Sequence, residues 1–307
     1  MKRFMSLLLV IILLGACAPA VAPAAPAGPI TLTDGAGKEI SLAAPATKIV
    51  SLAPSNTEIL FAIGAGGLLV GRDDFSNFPE DGVKDVAAVG GLDGKLNLEK
   101  ITSLQPDLVL AAEINTPDQI KALEDLGLKV VTLKNPTEWT GLYENIKLVG
   151  KTTGQDAAAE KLAADLAARV KAVADKVATV TSKPILFYEL DATEPAKPWT
   201  TGPGTFMDLL INQAGGVNAA AGMGSPWGQL SQEELIVQNP DFILLGDNLY
   251  GGVTPEQVAA RPGWDAIKAV QQNQVFAFND DLVSRPGPRL VDGLEAVAKT
   301  LHPDLFK

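Results

Sequence analysis

Cysteine and histidine are scarce in this chain of 307 residues, which contains one of each, Cys17 and His302. A lone cysteine excludes an intrachain disulfide. The two counts together exclude a bare transition-metal ion held by several histidines or cysteines, so we predict no metal site and no cofactor. His302 lies five residues before the end of the chain, after a helical pattern. We predict a packing role for it at a turn, in preference to the role of a general base.

Motifs of common catalytic sites are also missing. No G-x-S-x-G elbow occurs, the Gly-Lys pair at 94–95 is followed by Leu96 in place of Ser or Thr, and Leu69 replaces the third glycine of a dinucleotide fingerprint. We therefore predict no catalytic residues and no enzyme. The net charge is −11 without a cluster of Lys or Arg, which argues against nucleic acid as a partner. The 47% of hydrophobic residues suffices for two domains with cores.

The first residues have the pattern of a secretory signal. Two basic residues precede an apolar run at 5–14, which is too short to span a bilayer as a mature helix. The run leads into Leu-Gly-Ala-Cys17, which resembles a bacterial lipobox; the alternative is a small cysteine in an ordinary signal peptide. We predict a lipoprotein signal peptide over 1–16, then a lipidated Cys17 and an Ala/Pro tether over 17–29. Such lipidation would anchor the folded part to a membrane in an extracytoplasmic compartment.

The longest helical pattern divides the rest of the chain into two lobes. The segment 153–181 is rich in alanine and has apolar residues at spacings of three and four. We predict that Thr153 caps this linker helix, with Asp156 in the capping-box position, and that opposite charges four residues apart pair on its exposed side. The predicted pairs are Asp165 with Arg169 and Lys171 with Asp175. The amino-terminal lobe then covers 30–152 and the carboxyl-terminal lobe 182–307.

Strand and helix patterns alternate in both lobes, after a hairpin signal at 30–42. Such alternation predicts an α/β fold with mostly parallel central sheets and helices on their faces. The predicted strands are 49–52, 69–70, 86–89, 108–111 and 130–132 in the first lobe, and 185–190, 242–245 and 275–278 in the second. Residues 55–58 have the form of a capping box that opens a helix. In such sheets ligands bind beyond the carboxyl ends of the strands, which predicts where the site lies.

The second lobe repeats the first in sequence. The run 96–110 aligns without a gap with 230–244, at an offset of 134. A second similarity relates 55–58 to 205–208. A common helix-to-strand turn would explain the shared Pro-Asp of the first pair, but not the glutamate seven residues before each proline. Two similar lobes are the interpretation that covers both observations.

Several motifs, taken together, are typical of one family. They include K-I-V-S-L-A-P-S-N-T-E at 48–58, N-L-E-K-I-T-S-L-Q-P-D-L-V-L at 97–110, W-G-Q-L-S-Q-E-E-L at 227–235, R-P-G-W-D-A-I at 261–267 and S-R-P-G-P-R-L-V-D-G-L at 284–294. From 30 to 306 the chain resembles the substrate-binding lipoproteins of ABC importers for cobalamin, ferric siderophores and haem. The resemblance implies the class III form of periplasmic binding protein, in which one long helix joins two α/β lobes and the ligand lies in the cleft between them.

The resemblance also gives a role to the two glutamates that the repeat aligns. In this family one glutamate of each lobe docks onto arginines of the permease, and the matching residues here are Glu99 and Glu233. Exposed carboxylates can form bidentate pairs with arginine, which fits that role. The alternative is that each glutamate only caps or solvates the start of a helix.

Family members hold their ligands with aromatic and a few polar side chains at strand ends. Carried over by motif, the ligand-binding candidates are Phe75 and Phe78 in the first lobe, and Tyr188, Trp199, Trp227, Tyr250 and Arg285 in the second. Aromatic rings offer a large flat contact to a corrin ring or an organic chelate. Core packing is the alternative for every aromatic, and it is what we predict for Trp264.

The resulting prediction is a lipid-anchored, monomeric receptor that captures a metal chelate and delivers it to an ABC permease dimer with its ATPase subunits. The surroundings of Trp227 favour cobalamin or another corrinoid; a ferric siderophore and haem are the alternatives within the family. An extracytoplasmic enzyme and a structural envelope lipoprotein are the alternatives from other classes. Because the linker helix has no glycine or proline beyond Gly154, we expect the lobes to rock slightly without a large hinge closure.

Overall fold

The computed structural model describes residues 28–91 and 94–307, so the predicted signal peptide, Cys17 and most of the tether lie outside the described residues. The described chain begins with the predicted hairpin, in which β1 (Ile30–Thr33) and β2 (Glu39–Leu42) pair in antiparallel register. Asp34 forms the turn, because its Oδ1 accepts from the backbone of Ala36 at 3.0 Å and of Lys38 at 2.8 Å.

The amino-terminal lobe is a five-stranded parallel sheet with helices around it. Its elements are β3 (Ile49–Ser51), α1 (Pro54–Ala62), β4 (Leu69–Arg72), α2 (Glu80–Val83), β5 (Ala87–Ala88), α3 (Leu98–Ser103), β6 (Leu108–Ala112), α4 (Pro117–Asp125), β7 (Val130–Leu133) and α5 (Trp139–Thr153). The strand order is β5-β4-β3-β6-β7. The strands β3 and β6 are buried over their whole length, as expected where helices cover both faces of a sheet.

The linker helix, α6 (Asp156–Val177), is shorter at both ends than the predicted segment 153–181. The prediction of Thr153 as its N-cap is wrong. Thr153 is the last residue of α5, and its hydroxyl donates to the Val149 carbonyl oxygen at 2.8 Å. Gly154 follows in the left-handed conformation, with φ 68°. Glycine adopts this conformation without a steric cost from Cβ, so α5 ends here and α6 starts as a separate helix.

The buried face of α6 is the predicted one. It is formed by Leu162, Leu166, Val170, Val173 and Val177. Of the predicted surface pairs, Lys171 with Asp175 forms, at 2.6 Å. The prediction that Asp165 pairs with Arg169 is wrong, because Arg169 donates instead to both oxygens of Glu295, at 2.9 and 2.7 Å. Arg169 therefore ties the linker helix to the carboxyl-terminal part of the chain.

The carboxyl-terminal lobe is a four-stranded parallel sheet with a short antiparallel ribbon at its side. Its elements are β8 (Ile185–Glu189), β9 (Trp199–Thr201), α7 (Phe206–Gln213), β10 (Val217–Asn218), β11 (Trp227–Gln229), α8 (Gln232–Gln238), β12 (Phe242–Leu245), α9 (Asn248–Gly251), α10 (Pro255–Ala259), α11 (Lys268–Gln271), β13 (Val275–Ala277) and α12 (Leu290–Leu301). The main sheet has the order β10-β8-β12-β13, and β9 and β11 form the ribbon.

His302 ends α12, and its Nε2 lies 3.2 Å from the Gly215 carbonyl oxygen, so the predicted packing role is confirmed.

The repeat is visible in the backbone. Gln105 and Asn239, at the predicted offset, both adopt a positive φ, of 51° and 46°. Two residues later, Asp107 accepts from the backbone just before β3 at 2.8 Å, and Asp241 accepts from the first residue of β8 at 2.7 Å. The strands β6 and β12 then pair in parallel with β3 and β8. The prediction of two similar α/β lobes with mostly parallel sheets is confirmed.

One hydrophobic cluster runs through both lobes. It includes side chains of β3 and β6 from the first lobe, of β8 and β12 from the second, and of α5, α6 and α12. A wide hinge motion would have to open this close-packed core, and the core therefore opposes such a motion.

Within residues 28–91 and 94–307, no helix is both long and apolar enough to cross a membrane. The same part of the chain holds no group of three or more His, Cys, Asp or Glu side chains placed to bind a metal ion.

Candidate ligand-binding site

Apolar side chains are exposed together at the carboxyl ends of the strands of both lobes. This is the sheet edge at which α/β folds bind ligands. Most of the large apolar residues that the described chain exposes lie at this edge: Phe75, Phe78, Ile114, Trp199, Trp227, Leu249 and Tyr250. Exposed apolar surface concentrated in this way marks a binding surface.

In the first lobe, the loop after β4 presents Phe75 and Phe78. Asp73 is buried, and its Oδ1 accepts from the backbone of Phe75 at 2.8 Å and of Ser76 at 3.1 Å. The Ser76 hydroxyl also bonds to the Asp73 carboxylate and lies 2.9 Å from the Thr57 hydroxyl of α1. Burial raises the pKa of the Asp73 carboxyl, although these hydrogen bonds act in the opposite direction. The side chains of Asp73 and Ser76 thus point inward, and both aromatic rings stay about half exposed.

In the second lobe, the ribbon of β9 and β11 presents Trp199 and Trp227. Trp227 lies opposite Thr201 and Trp199 opposite Gln229, so side-chain alternation puts both indoles on one face of the ribbon. The Trp227 ring packs against Phe206, with centroids 5.8 Å apart, and 41% of Trp227 stays exposed. The sequence did not predict this ribbon, because a strand of three residues is too short to show an alternating pattern.

Tyr188 lies in the core, in contrast to its expected place in the cleft. It is 2% exposed, its hydroxyl donates to Asp280 Oδ1 at 2.6 Å, and its ring meets Phe278 edge-on with centroids 6.4 Å apart. Burial raises the pKa of the phenol well above its usual value, and the charge of Asp280 adds to this effect. The reason is its strand: β8 is an inner strand of a parallel sheet, and both of its faces are covered.

Tyr250 is 66% exposed on the short helix α9, which follows β12. Its hydroxyl donates to Asp281 Oδ1 at 2.8 Å and accepts from the side-chain amide of Asn77, in the other lobe, at 3.3 Å. Leu249 beside it and Ile114 after β6 are exposed as well. The sequence reasoning missed both. The signal that could have found them is the repeat, because they follow the two strands that it aligns.

Arg285 is 7% exposed and lies where the two lobes meet. Its guanidinium contacts the Asp281 carboxylate at 2.6 Å and the Asn77 side-chain oxygen at 2.7 Å. Arg289 forms a two-point ion pair with Glu58, at 3.0 and 2.6 Å. Both guanidinium groups at this edge are therefore already paired with carboxylates of the protein.

The interpretation of residues 55–58 as a capping box is wrong. Helix α1 begins with Pro54, and no side chain caps it. Proline suits the first helical position because its fixed φ is helical and its missing N–H would have no partner there. At the matching position of the second lobe Thr205 is an N-cap, since its hydroxyl accepts from the backbone of Asp208 at 3.0 Å. Glu58 instead reaches across to the second lobe.

Glu99 and Glu233 are exposed at the second position of α3 and α8, one in each lobe. Neither residue caps its helix. The Asn97 side chain caps α3, and Ser231 forms the capping box of α8 together with Glu234. Capping, which was one alternative for these two glutamates, is thus carried out by their neighbours.

A buried ion pair lies below the exposed residues of the second lobe. Glu189, the last residue of β8, is fully buried, and its two oxygens accept from Arg261 at 2.8 and 2.6 Å. Arg261 also lies over the ring of Trp264, 4.5 Å from its centroid, and Trp264 belongs to the core as predicted. Asp247 follows β12 and is buried nearby. Its burial, and next the negative charge of Glu189, raise the pKa of the Asp247 carboxyl to about 7.

The raised pKa of Asp247 predicts a pH-dependent stability. Between pH 3.8 and about 7 the folded protein keeps a proton that the unfolded chain loses, so this group's contribution to stability falls as the pH rises. Asp247→Asn removes the charge and keeps the shape. We expect it to raise the urea midpoint clearly at pH 8 and progressively less towards pH 4. Asp265→Asn, at an exposed position of the same lobe, is the control; an equal gain for Asp247→Asn at every pH would contradict the prediction.

Two α/β lobes, one long connecting helix and apolar side chains on the facing strand ends define a two-lobed binding protein. The chain matches the family of periplasmic binding proteins over residues 49–282, and it belongs to this family.

Individual relatives narrow the class further. The chain is 35% identical to YvrC of Bacillus subtilis, an uncharacterised ABC transporter substrate-binding lipoprotein, over 91% of this chain and 87% of that protein. Its structure resembles the periplasmic vitamin B12-binding protein BtuF of Vibrio cholerae, with 28% identity and a TM-score of 0.72 over 86% of this chain and 99% of that one. It also resembles the periplasmic haem-binding protein RhuT from Roseiflexus, with 28% identity and a TM-score of 0.75 over 85% and 99%. The protein is thus a substrate-binding protein of an ABC importer, a class that works with a membrane permease and its ATPase.

Proposed function

We propose that this protein captures a corrinoid such as cobalamin outside the cytoplasm and delivers it to an ABC permease. The supporting observation is the set of exposed aromatic and aliphatic side chains that both lobes carry at the carboxyl ends of their strands. A corrin ring is broad and flat, and aromatic side chains cover such a surface at a low cost in conformational entropy. The similarity to a vitamin B12-binding protein supports the same class of ligand.

The charges at this edge favour a corrinoid over an anionic ferric siderophore. Arg285 is held by Asp281, and Arg289 by Glu58. A strongly anionic chelate would have to compete with these carboxylates for the two guanidinium groups, and would lose its hydration in doing so. Haem is supported by the similarity to RhuT. However, the Tyr250 hydroxyl, which could ligate the iron of haem, already donates to Asp281, and this bond would have to break first.

The proposal includes how the receptor meets the membrane and the permease. Lipidation of Cys17 would anchor it, with 17–29 as the tether, and the name of the relative YvrC as a lipoprotein supports this. The protein would act as a monomer without a catalytic step. Glu99 and Glu233 would dock onto arginines of the permease dimer, since exposed carboxylates, one in each lobe, match a two-fold partner.

Titration of the purified protein with cyanocobalamin, several ferric siderophores and haem, followed by tryptophan fluorescence, tests the ligand. We expect cyanocobalamin to bind with a Kd below about 10 µM, equivalent to about −7 kcal/mol, and the other chelates to bind more weakly. Tight binding of a siderophore or haem alone would assign that ligand in place of the corrinoid. Failure of all three classes would refute the receptor proposal for these chelates.

Trp227→Ala is expected to weaken cyanocobalamin binding about tenfold or more, because the half-exposed indole has the features of an aromatic binding anchor. Isothermal titration calorimetry measures this without depending on the removed fluorophore. Phe276→Ala is a matched control. Phe276 is 37% exposed, close to the 41% of Trp227, but it lies on β13 and stacks on Phe242 at the start of β12. An equal loss in both variants would contradict the role of Trp227.

A further inference from the structure

We propose that Glu58, Arg285 and Arg289 form an interlobe clamp that sets the width of the cleft and holds its aromatic side chains in position. Glu58 belongs to α1 of the first lobe, and the arginines lie directly before α12 in the second. The sequence separates Glu58 from them by 227 and 231 residues. The effect on a ligand depends on the proposed function, whereas the clamp itself belongs to the ligand-free protein.

The Glu58 carboxylate accepts hydrogen bonds from both arginines across the lobe boundary. Arg289 donates from Nε to Oε2 at 3.0 Å and from Nη2 to Oε1 at 2.6 Å, a two-point pairing that fixes the relative orientation of the two groups. Arg285 donates from Nη1 to Oε1 at 3.4 Å. Glu58 is 3% exposed, so water competes little for these bonds.

The same arginines contact the residues that carry the exposed rings. The Arg289 guanidinium lies over the Phe78 ring, 4.1 Å from its centroid. Arg285 donates to the Phe75 carbonyl oxygen and to the Tyr250 hydroxyl, each at 3.3 Å. A change in the clamp would therefore move ligand-facing side chains of both lobes together, which makes Glu58 a positioning residue.

Gly287, between the two arginines, lets the second lobe approach the first turn of α1. A Cβ at this position would lie 3.3 Å from both the Cα and the carbonyl oxygen of Ser55, and 3.5 Å from Glu58 Oε2. A larger side chain would have to push this segment away from α1. The close approach of the backbone is thus a second component of the clamp, and it does not depend on charge.

Buried charges suit a clamp better than they suit general stabilisation. Taking charged groups out of water costs free energy that their mutual attraction offsets only in part, so such a pair favours one arrangement more than it raises stability. The linker helix and the shared core restrain the lobes elsewhere. The clamp then determines how far the lobes separate, and ligand release has to break it.

Glu58→Gln tests the clamp, because it keeps the shape of the side chain and removes the charge that both arginines face. The full-length protein with Cys17→Ser is labelled with nitroxides at Ser103→Cys and Val237→Cys, which are equivalent exposed positions in the last turns of α3 and α8. Double electron–electron resonance without ligand then gives the distribution of interlobe distances. We expect Glu58→Gln to broaden it and shift it, and Gly287→Val to do the same by steric means.

Glu295→Gln is the matched control, since it removes the same charge from the two-point pair with Arg169, which joins the linker helix to α12 and includes no residue of the first lobe. It should leave the distance distribution unchanged. In stopped-flow measurements, we expect cyanocobalamin to dissociate from Glu58→Gln about tenfold faster than from the natural protein, because changes at a binding site act mainly on the dissociation rate. The dissociation rate of the Glu295→Gln control should stay within about twofold of the natural rate.

Unchanged distances in both Glu58→Gln and Gly287→Val would overturn the clamp, whatever the ligand is. If the interlobe distances change but the dissociation rate of a bound chelate does not, the proposed effect of the clamp on the cleft is overturned. If the distances change and the natural protein binds none of the chelates, the clamp is supported and the corrinoid proposal fails.

Discussion

Exchange of both Glu99 and Glu233 for arginine is expected to abolish ligand uptake by cells and to leave ligand binding by the purified protein unchanged. The two carboxylates are exposed at equivalent positions of the two lobes, so a two-fold permease can meet both at once with the same pair of arginines. Reversal places like charges opposite each other on both sides of that interface, and such contacts cost several kcal/mol each. Uptake of labelled ligand and calorimetric titration measure the two properties separately.

The chain offers a matched control for this experiment. Asp118 and Glu256 are exposed acids at the second position of α4 and α10, one in each lobe. Their exchange for arginine changes the net charge by the same amount and has the same unfavourable effect at a helix amino terminus. Uptake should stay near the natural level in this control. Loss of ligand binding in the Glu99/Glu233 variant would place these residues in the cleft, and retained uptake would refute docking.

Sequence patterns predicted those parts of the fold that local chemistry determines. Continuous apolar runs located β3, β6 and β12. The repeat correctly identified α3 and α8 as equivalent helices of the two lobes, and the backbone turn that follows each of them is the same. The errors arose where a residue fits two local roles, and a neighbouring glycine in one case and the other lobe in the second case decide between them. Thr153 has the chemistry of an N-cap, but Gly154 ends the preceding helix at that point. Glu58 has the chemistry of a capping box, but two arginines of the other lobe engage it.

In the candidate site, too, the sequence predicted some residues correctly and failed where the surroundings of a side chain decide. Motifs located the loop with Phe75 and Phe78 and the two tryptophans of the ribbon, and these side chains are exposed at the expected sheet edge. The motifs could not tell that Tyr188 is buried, because that depends on what covers both faces of β8. They also missed Ile114 and Leu249, which carry no motif and are recognisable only by their place after equivalent strands.

The carboxylates of the second lobe bear on the choice between a receptor and an enzyme. A pair of carboxylates with a strongly perturbed pKa in a cleft would favour catalysis. Asp247 has such a pKa, about 7, and it lies close to Glu189. However, Glu189 is fully buried, and Arg261 occupies both of its oxygens. Glu189 is therefore fully engaged inside the protein and presents no second carboxylate to a substrate beside Asp247.

Arg261→Met is expected to lower the free energy of unfolding by about 3–5 kcal/mol, because it leaves the buried Glu189 carboxylate without its partner. The natural pair is nearly inaccessible to water, with side-chain exposures of 9% for Arg261 and 0% for Glu189. Urea unfolding at neutral pH, followed by circular dichroism, measures the change. Lost contact with the Trp264 ring adds to the effect in the same direction.

Two further variants separate the cost of an unpaired charge from the loss of packing. Arg169→Met breaks a two-point pair with Glu295 that is about 40% exposed, and should cost no more than about 1 kcal/mol. Glu189→Met combined with Arg261→Met removes both buried charges and should recover most of the stability, since apolar side chains of similar volume can replace a buried ion pair. A double variant as unstable as Arg261→Met would show that packing, and not the unpaired carboxylate, determines the loss.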